Sequence, residues 1–128
     1  MKEPTWLDLG DALAIHEMML AQHGGLAGVR DQGLLESALQ KPQNQFAYGD
    51  PTFAELAASY AVGVVMNHPF LDGNKRTGFM LAATFLELNG FSFNAAEESV
   101  VKKTLALAAG KLHAPGYAKW LEMNSRRA

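Results

Sequence analysis

The sequence predicts an all-α protein, a single domain over residues 1–128 with about six helices and a short flap ahead of the central one. Three observations predict it. Apolar residues recur at three- and four-residue spacings almost throughout, and strict alternation is rare. Ala and Leu dominate, Met is well represented, and β-branched residues are few. Helix start and stop signals punctuate the chain at helical intervals.

The elements follow in order. A first helix is expected from about Trp6 to Gln22, with Leu9, Leu13, His16 and Leu20 on one face, stopped by Gly24-Gly25. Asp31 can cap a second helix through Gln40, and Pro42 then breaks the pattern. Gln43 to Pro51 is irregular, with Phe46 and Tyr48 two apart before Gly49-Asp50, and reads as a short extended flap with a turn. Thr52 and Glu55 form a capping box for a helix through about Asn67. That helix is small and apolar almost all round, which places it mid-core, and Pro69 ends it. Asn74 to Leu88 reads as another buried helix, stopped by Asn89-Gly90, and Phe91-Ser92-Phe93 as a brief extended link. Asn94 and Glu97 are expected to cap a helix to about Ala109. Gly110 and Pro115-Gly116 mark a turn before a last helix carrying Tyr117, Trp120 and Leu121. Trp6 and Trp120 are expected to pack the two ends of the chain onto the core.

Composition narrows the function classes. The chain has 128 residues, 48% hydrophobic and 19% charged, enough for a core without staples. With no cysteine there is no disulfide framework and no thiolate chemistry, which suits a cytoplasmic location. No apolar run reaches the length of a membrane span, and the N-terminus lacks the layout of a signal peptide, so no membrane partner is expected. A net charge of −2 and no basic run longer than two residues argue against direct nucleic-acid binding. Lys102-Lys103 reads as a solvated helix face.

The chemistry concentrates in His68-Pro69-Phe70-Leu71-Asp72-Gly73-Asn74-Lys75-Arg76, where two helical patterns meet. Lys75 and Arg76 fall in a first helical turn, whose dipole end is already positive, at a cost of up to about 0.3–1 kcal/mol each unless an anion is bound. A phosphate group fits, since a helix N-terminus offers free N–H groups. Arg76 supplies a fork for phosphate oxygens and Lys75 a point charge, where the plain alternative is two side chains reaching solvent. His68 can be a general base or a satisfied core histidine. Asp72 can bind Mg²⁺ against phosphate or simply precede a glycine in a turn. Gly73 permits close backbone approach, and Asn74 can cap the helix or meet a phosphate oxygen. Phe70 reads as a plug fixing the loop in the core. His16 reads as a core or supporting histidine, His23 as helix-end chemistry, and His113 as a loop residue. The four histidines show no metal-ligand spacing.

The nine-residue run resembles the Fic/Doc motif, His-x-Phe-x-(Asp/Glu)-Gly-Asn-(Gly/Lys)-Arg. Gly24-Gly25-Leu26, Gly33 to Leu39, Pro42 to Tyr48 and Phe85 to Gly90 also resemble the Doc (death-on-curing) branch. The resemblance implies a Fic-type helical domain that moves part of a nucleotide onto a protein hydroxyl. It implies His68 as the base, Asp72 as Mg²⁺ ligand, and Gly73, Asn74, Lys75 and Arg76 as phosphate holders for ATP. Gln45, Phe46 and Tyr48 would lie in a flap that pairs with the target as an added strand. Phe46 and Tyr48 could equally contact the adenine or anchor the flap.

Two positions depart from the AMP-transferring branch. Lys75 stands where that branch has Gly, and Phe79 where it has a second Arg. The Doc branch carries lysine and an apolar residue there, which implies transfer of the terminal phosphate to a target such as a translation factor. The close alternative is adenylylation; more distant ones are a phosphohydrolase and a non-catalytic nucleotide-binding module. The inhibitory Ser/Thr-x-x-x-Glu spacing of many Fic proteins is absent: Thr52, Ser59, Thr77, Thr84 and Ser99 are followed four on by Leu56, Gly63, Leu81, Leu88 and Lys103. The resemblance therefore implies restraint in trans by a small antitoxin.

Overall fold

In the computed structural model, which describes residues 2–128, six helices and two short strands form around one core. The helices are α1 (Leu9–His23), α2 (Gln32–Tyr48), α3 (Phe53–Asn67), α4 (Asn74–Leu88), α5 (Glu97–Ala108) and α6 (Ala114–Met123). Strand β1 (Phe91–Phe93) pairs antiparallel with β2 (Ser125–Arg127). The expected all-α class holds, and none of these helices is long and apolar enough to cross a membrane.

The central helix is α3. Its Thr52–Glu55 capping box is complete, with Thr52 Oγ1 accepting from the Glu55 N–H at 3.1 Å and Glu55 accepting from the Thr52 N–H at 2.8 Å. Ten of its residues are buried, as its all-round apolar pattern requires. It packs against α2, α4 and α6. Two glycines make those contacts close. A Cβ on Gly63 would lie 2.7 Å from Ala38 Cβ on α2, and one on Gly78 of α4 would lie 2.7 Å from Val65 Cγ2. Trp6 stacks on Phe85 at 5.9 Å, and Trp120 joins Phe79, Phe93 and Tyr117, so both ends of the chain pack as expected.

Several expectations are corrected. The first helix starts at Leu9 rather than Trp6, because Asp8 and Asp11 form a capping box. Pro42 does not end α2: the helix runs on to Tyr48 with Pro42 buried inside it. An internal proline costs about 3 kcal/mol or more. Burial of Pro42 against the core and an edge-on contact of Phe46 with Trp6 at 5.7 Å offset that cost. The extended flap is therefore helical through Tyr48, and its main chain is no open strand edge. Asn94 does not cap α5; its N–H bonds the Asn124 carbonyl at 2.9 Å, extending the β1–β2 pair, and Ala96 takes the cap position without a side-chain bond. Pro115-Gly116 lies in the first turn of α6, where a proline lacks no needed donor. No alternation in the sequence marks strand β2; there Arg127 sets its guanidinium 4.5 Å from the centre of the Phe91 ring.

Candidate active site

The motif forms the end of α3, a tight loop and the start of α4. His68 is the C-cap of α3, its N–H bonding the Val64 carbonyl at 3.2 Å. Its backbone is left-handed, φ 51° and ψ 57°, the one non-glycine with positive φ among the described residues. That conformation costs roughly 1–2 kcal/mol for a residue with a Cβ, so the surroundings must impose it. The following proline already excludes a helical continuation. The result puts an exposed His68 at the mouth of a cleft of about 800 Å³.

The loop is held from beneath. Phe70 is 1% exposed and its ring stacks on His16 at 3.8 Å. His16 is itself buried, and its Nε2 lies 2.8 Å from the Asp72 carbonyl oxygen, so this nitrogen carries the proton and donates. Phe70 is thus the expected plug and His16 a supporting histidine. Asn74 serves the loop as well, which corrects the expectation of a cap. Its Oδ1 accepts from the Phe70 N–H at 3.0 Å and its Nδ2 donates to the Phe70 carbonyl at 3.0 Å, with the residue 8% exposed. With its amide so engaged, what Asn74 offers an anion is its main-chain N–H.

Helix α4 consequently starts on Gly73, φ 77°, with no side-chain cap and no acidic residue in its first turn. Lys75 and Arg76 are exposed there and line the cleft with His68 and Asp72. The start of α4 thus joins unpaired N–H groups, a positive dipole end and two cations. Asp72 is exposed. The Leu26 N–H at 3.1 Å and the Gly73 N–H at 2.8 Å hold its carboxyl below the usual value of 3.8, helped by the nearby charge of Arg76. It is ionised at neutral pH, with lone pairs left over after those two bonds.

Beyond this charged mouth the cleft turns apolar along α4, β1 and α5, past Phe79, Met80, Phe93, Val100 and Leu105. Phe79 stacks obliquely on Phe93 at 5.7 Å and on Trp120 at 6.1 Å, which makes a hydrophobic floor.

The three residues expected in a flap are not gathered here. Gln45 and Tyr48 are exposed near the end of α2, Tyr48 at 90%, Phe46 is half-buried against Trp6, and none of them lines the cleft. Conversely, the strap between α1 and α2 contributes contacts that motif reading does not single out. Leu26 reaches Asp72, the Gly28 carbonyl accepts from the Leu71 N–H at 3.0 Å, and Arg30 bonds the end of α3. The available signal was three glycines in five residues, Gly24, Gly25 and Gly28, more than a helix stop needs.

No group of three or more His, Cys, Asp or Glu side chains is placed to hold a metal among the described residues. Asp72 alone fits a Mg²⁺ ion only as one ligand beside phosphate oxygens and water, which is the usual way this ion is shared with a nucleotide.

A helical domain with a histidine at the lip of a cationic helix N-terminus is the class that fold and site define. The Fic/DOC family model matches residues 6–86, and the chain belongs to that family. It is 31% identical over 112 residues to the protein named protein kinase doc of Escherichia phage P1, across 87% of this chain and 88% of that one. It is 39% identical over 88 residues to the toxin Doc of Mycolicibacterium smegmatis, across 66% of this chain and 65% of that one.

Proposed function

We propose that this protein is a Doc-like toxin that transfers the terminal phosphoryl group of ATP to a hydroxyl side chain of a target protein, such as a translation factor. The observation that carries the reading is the first turn of α4: no side-chain cap, no acid, Lys75 and Arg76 on its surface, and His68 and an ionised Asp72 at the same mouth. The names of the two Doc relatives support the toxin and kinase parts of the reading.

In this reading the N–H of Asn74, with Lys75 and Arg76, holds the phosphates, and Gly73, whose own N–H is engaged by Asp72, leaves them room to approach the backbone. His68 takes the proton of the target hydroxyl as its oxygen bonds the γ-phosphorus; the bond to the β-phosphate oxygen breaks and ADP leaves. Asp72 would hold Mg²⁺, which when bound neutralises phosphate charge. Phe79 in place of a second cation favours transfer of the outer phosphate over transfer of AMP. A small antitoxin would restrain the enzyme in trans. With α2 helical to its end, Gln45 and Tyr48 would meet a target by their side chains and not by strand addition.

The test is incubation with Mg²⁺, cell extract and ATP labelled at either the γ- or the α-phosphate. The expected outcome is γ-label on a target protein, lost in His68→Ala. Label from the α-position identifies adenylylation instead, and label from neither refutes transferase function.

A further inference from the structure

We propose that the strap Gly25–Asp31 is a positioning element for the motif loop, and that Arg30 is the positioning residue that sets the orientation of His68. The consequence for catalysis rests on the transferase reading above; the structural consequence does not.

The end of a helix leaves carbonyl groups without intrahelical donors. At the end of α3 two of these, on Asn67 and His68, are met by one guanidinium. Arg30 donates Nη2–H to the Asn67 carbonyl at 2.8 Å and Nε–H to the His68 carbonyl at 2.6 Å. Its main chain adds to this: the N–H groups of Arg30 and Asp31 both donate to the Pro69 carbonyl, at 2.7 and 2.9 Å. Val29 and Phe70 form an antiparallel bridge, and Leu71 donates to Gly28. The strap is therefore tied to every residue from Asn67 to Leu71, and through Leu26 to Asp72 as well.

This placement bears directly on His68. A left-handed histidine is not its own minimum, and the carbonyl that follows its ψ torsion is the one Arg30 grips. A planar fork can hold two carbonyls at once in fixed relative orientation; an ammonium group is a point donor that cannot. Releasing the fork frees ψ of His68 and lets the ring swing at the cleft mouth, with the phosphate holders on α4 untouched. Arg30 is exposed, so its loss opens no core.

The test compares Arg30→Met, which keeps the stem and removes the donors, with Arg30→Lys and the parent chain. In the labelled-ATP assay, Arg30→Met should lower kcat by about 10–100-fold, the scale of a small misplacement of a reacting group. KM for ATP and Kd for ADP should stay within about threefold, because binding and the chemical step are separable. Arg30→Lys should recover part of kcat. By NMR, the His68 ring and the His68 and Phe70 amide signals of Arg30→Met should shift or broaden while signals of α5 and α6 do not.

Parent-like kcat, unmoved His68 signals, or loss of ADP binding in step with kcat would each overturn the proposal. If the parent chain itself transfers no label, the transferase reading fails by itself, and the His68 signals alone decide the role of Arg30.

Discussion

Asn74 is the residue whose job differs most from what its motif position suggests, and its replacement tests the account of the loop. The perturbation is Asn74→Ala. It removes the acceptor of the Phe70 N–H and the donor to the Phe70 carbonyl, both at 3.0 Å and both buried. The bridge to Val29 uses Pro69 and Leu71, so it leaves those two groups of Phe70 without another partner. An unsatisfied buried polar group costs about 1–3 kcal/mol, so the pair should cost about 2–4 kcal/mol allowing for partial entry of water. For a domain of this size that is a fall in Tm of about 7–15 °C. The control is Asn74→Asp, which keeps an acceptor for the N–H but turns a second oxygen toward the Phe70 carbonyl. Its destabilisation should shrink in acid, where the introduced carboxyl gains a proton and can donate. Thermal and urea unfolding followed by circular dichroism measures both. An alanine variant within about 0.5 kcal/mol of the parent, the range of an ordinary surface change, refutes the loop-tie role. So does an Asp variant whose deficit is independent of pH.

Other outcomes follow from the same geometry. Gly25 has φ 124°, and a Cβ there would lie 2.7 Å from Asp72 Oδ2, so Gly25→Ala should displace that carboxylate and weaken Mg²⁺-dependent ADP binding by about tenfold; titration calorimetry with and without Mg²⁺ checks it, and unchanged affinity contradicts it. The lowered pKa of Asp72 means that its contribution to stability is fully present above 3.8 and lost as pH falls through its lower native value. The Tm difference between the parent and Asp72→Asn should therefore close in strong acid, and a constant difference would count against the N–H bonds as its cause. Burial pushes the hydroxyls of Tyr60 and Tyr117 up to about 12, so their contribution holds below pH 10 and is lost between about pH 10 and 12. Ultraviolet titration should show both phenolates forming together with unfolding, and ionisation of either in the folded chain near pH 10 would contradict their burial.

Sequence patterns reveal this site unevenly, and the reason is chemical. His68, Asp72, Lys75 and Arg76 are legible because their side chains face the cleft and each carries a titratable or charged group whose use can be inferred from type and spacing. The central helix was legible for a similar reason, since a run such as Ala57 to Val65 has no polar face to leave in water. What escaped acts through the main chain. Every residue has an N–H, so nothing in the identity of Leu26 announces that its N–H binds Asp72. Arg30 is an ordinary surface cation until the carbonyls of Asn67 and His68 are placed beside it. Pro42 carries a local helix penalty that only tertiary contacts offset, and the three residues of β2, Ser125-Arg126-Arg127, carry no strand pattern without their partner. The glycines Gly25 and Gly28 belong with the hidden group, whereas Gly73 is legible from its place in the motif. Gly25 and Gly28 leave room where a Cβ would meet Asp72 or Leu71 at under 3 Å, and Gly73 adopts the left-handed turn that opens α4. It follows that side chains and supporting backbone should answer differently to substitution. Changing a cleft-facing charge should alter binding or turnover with little change in Tm, whereas changing the strap should alter turnover by moving groups that remain chemically intact. That contrast separates a residue that acts from one that aims.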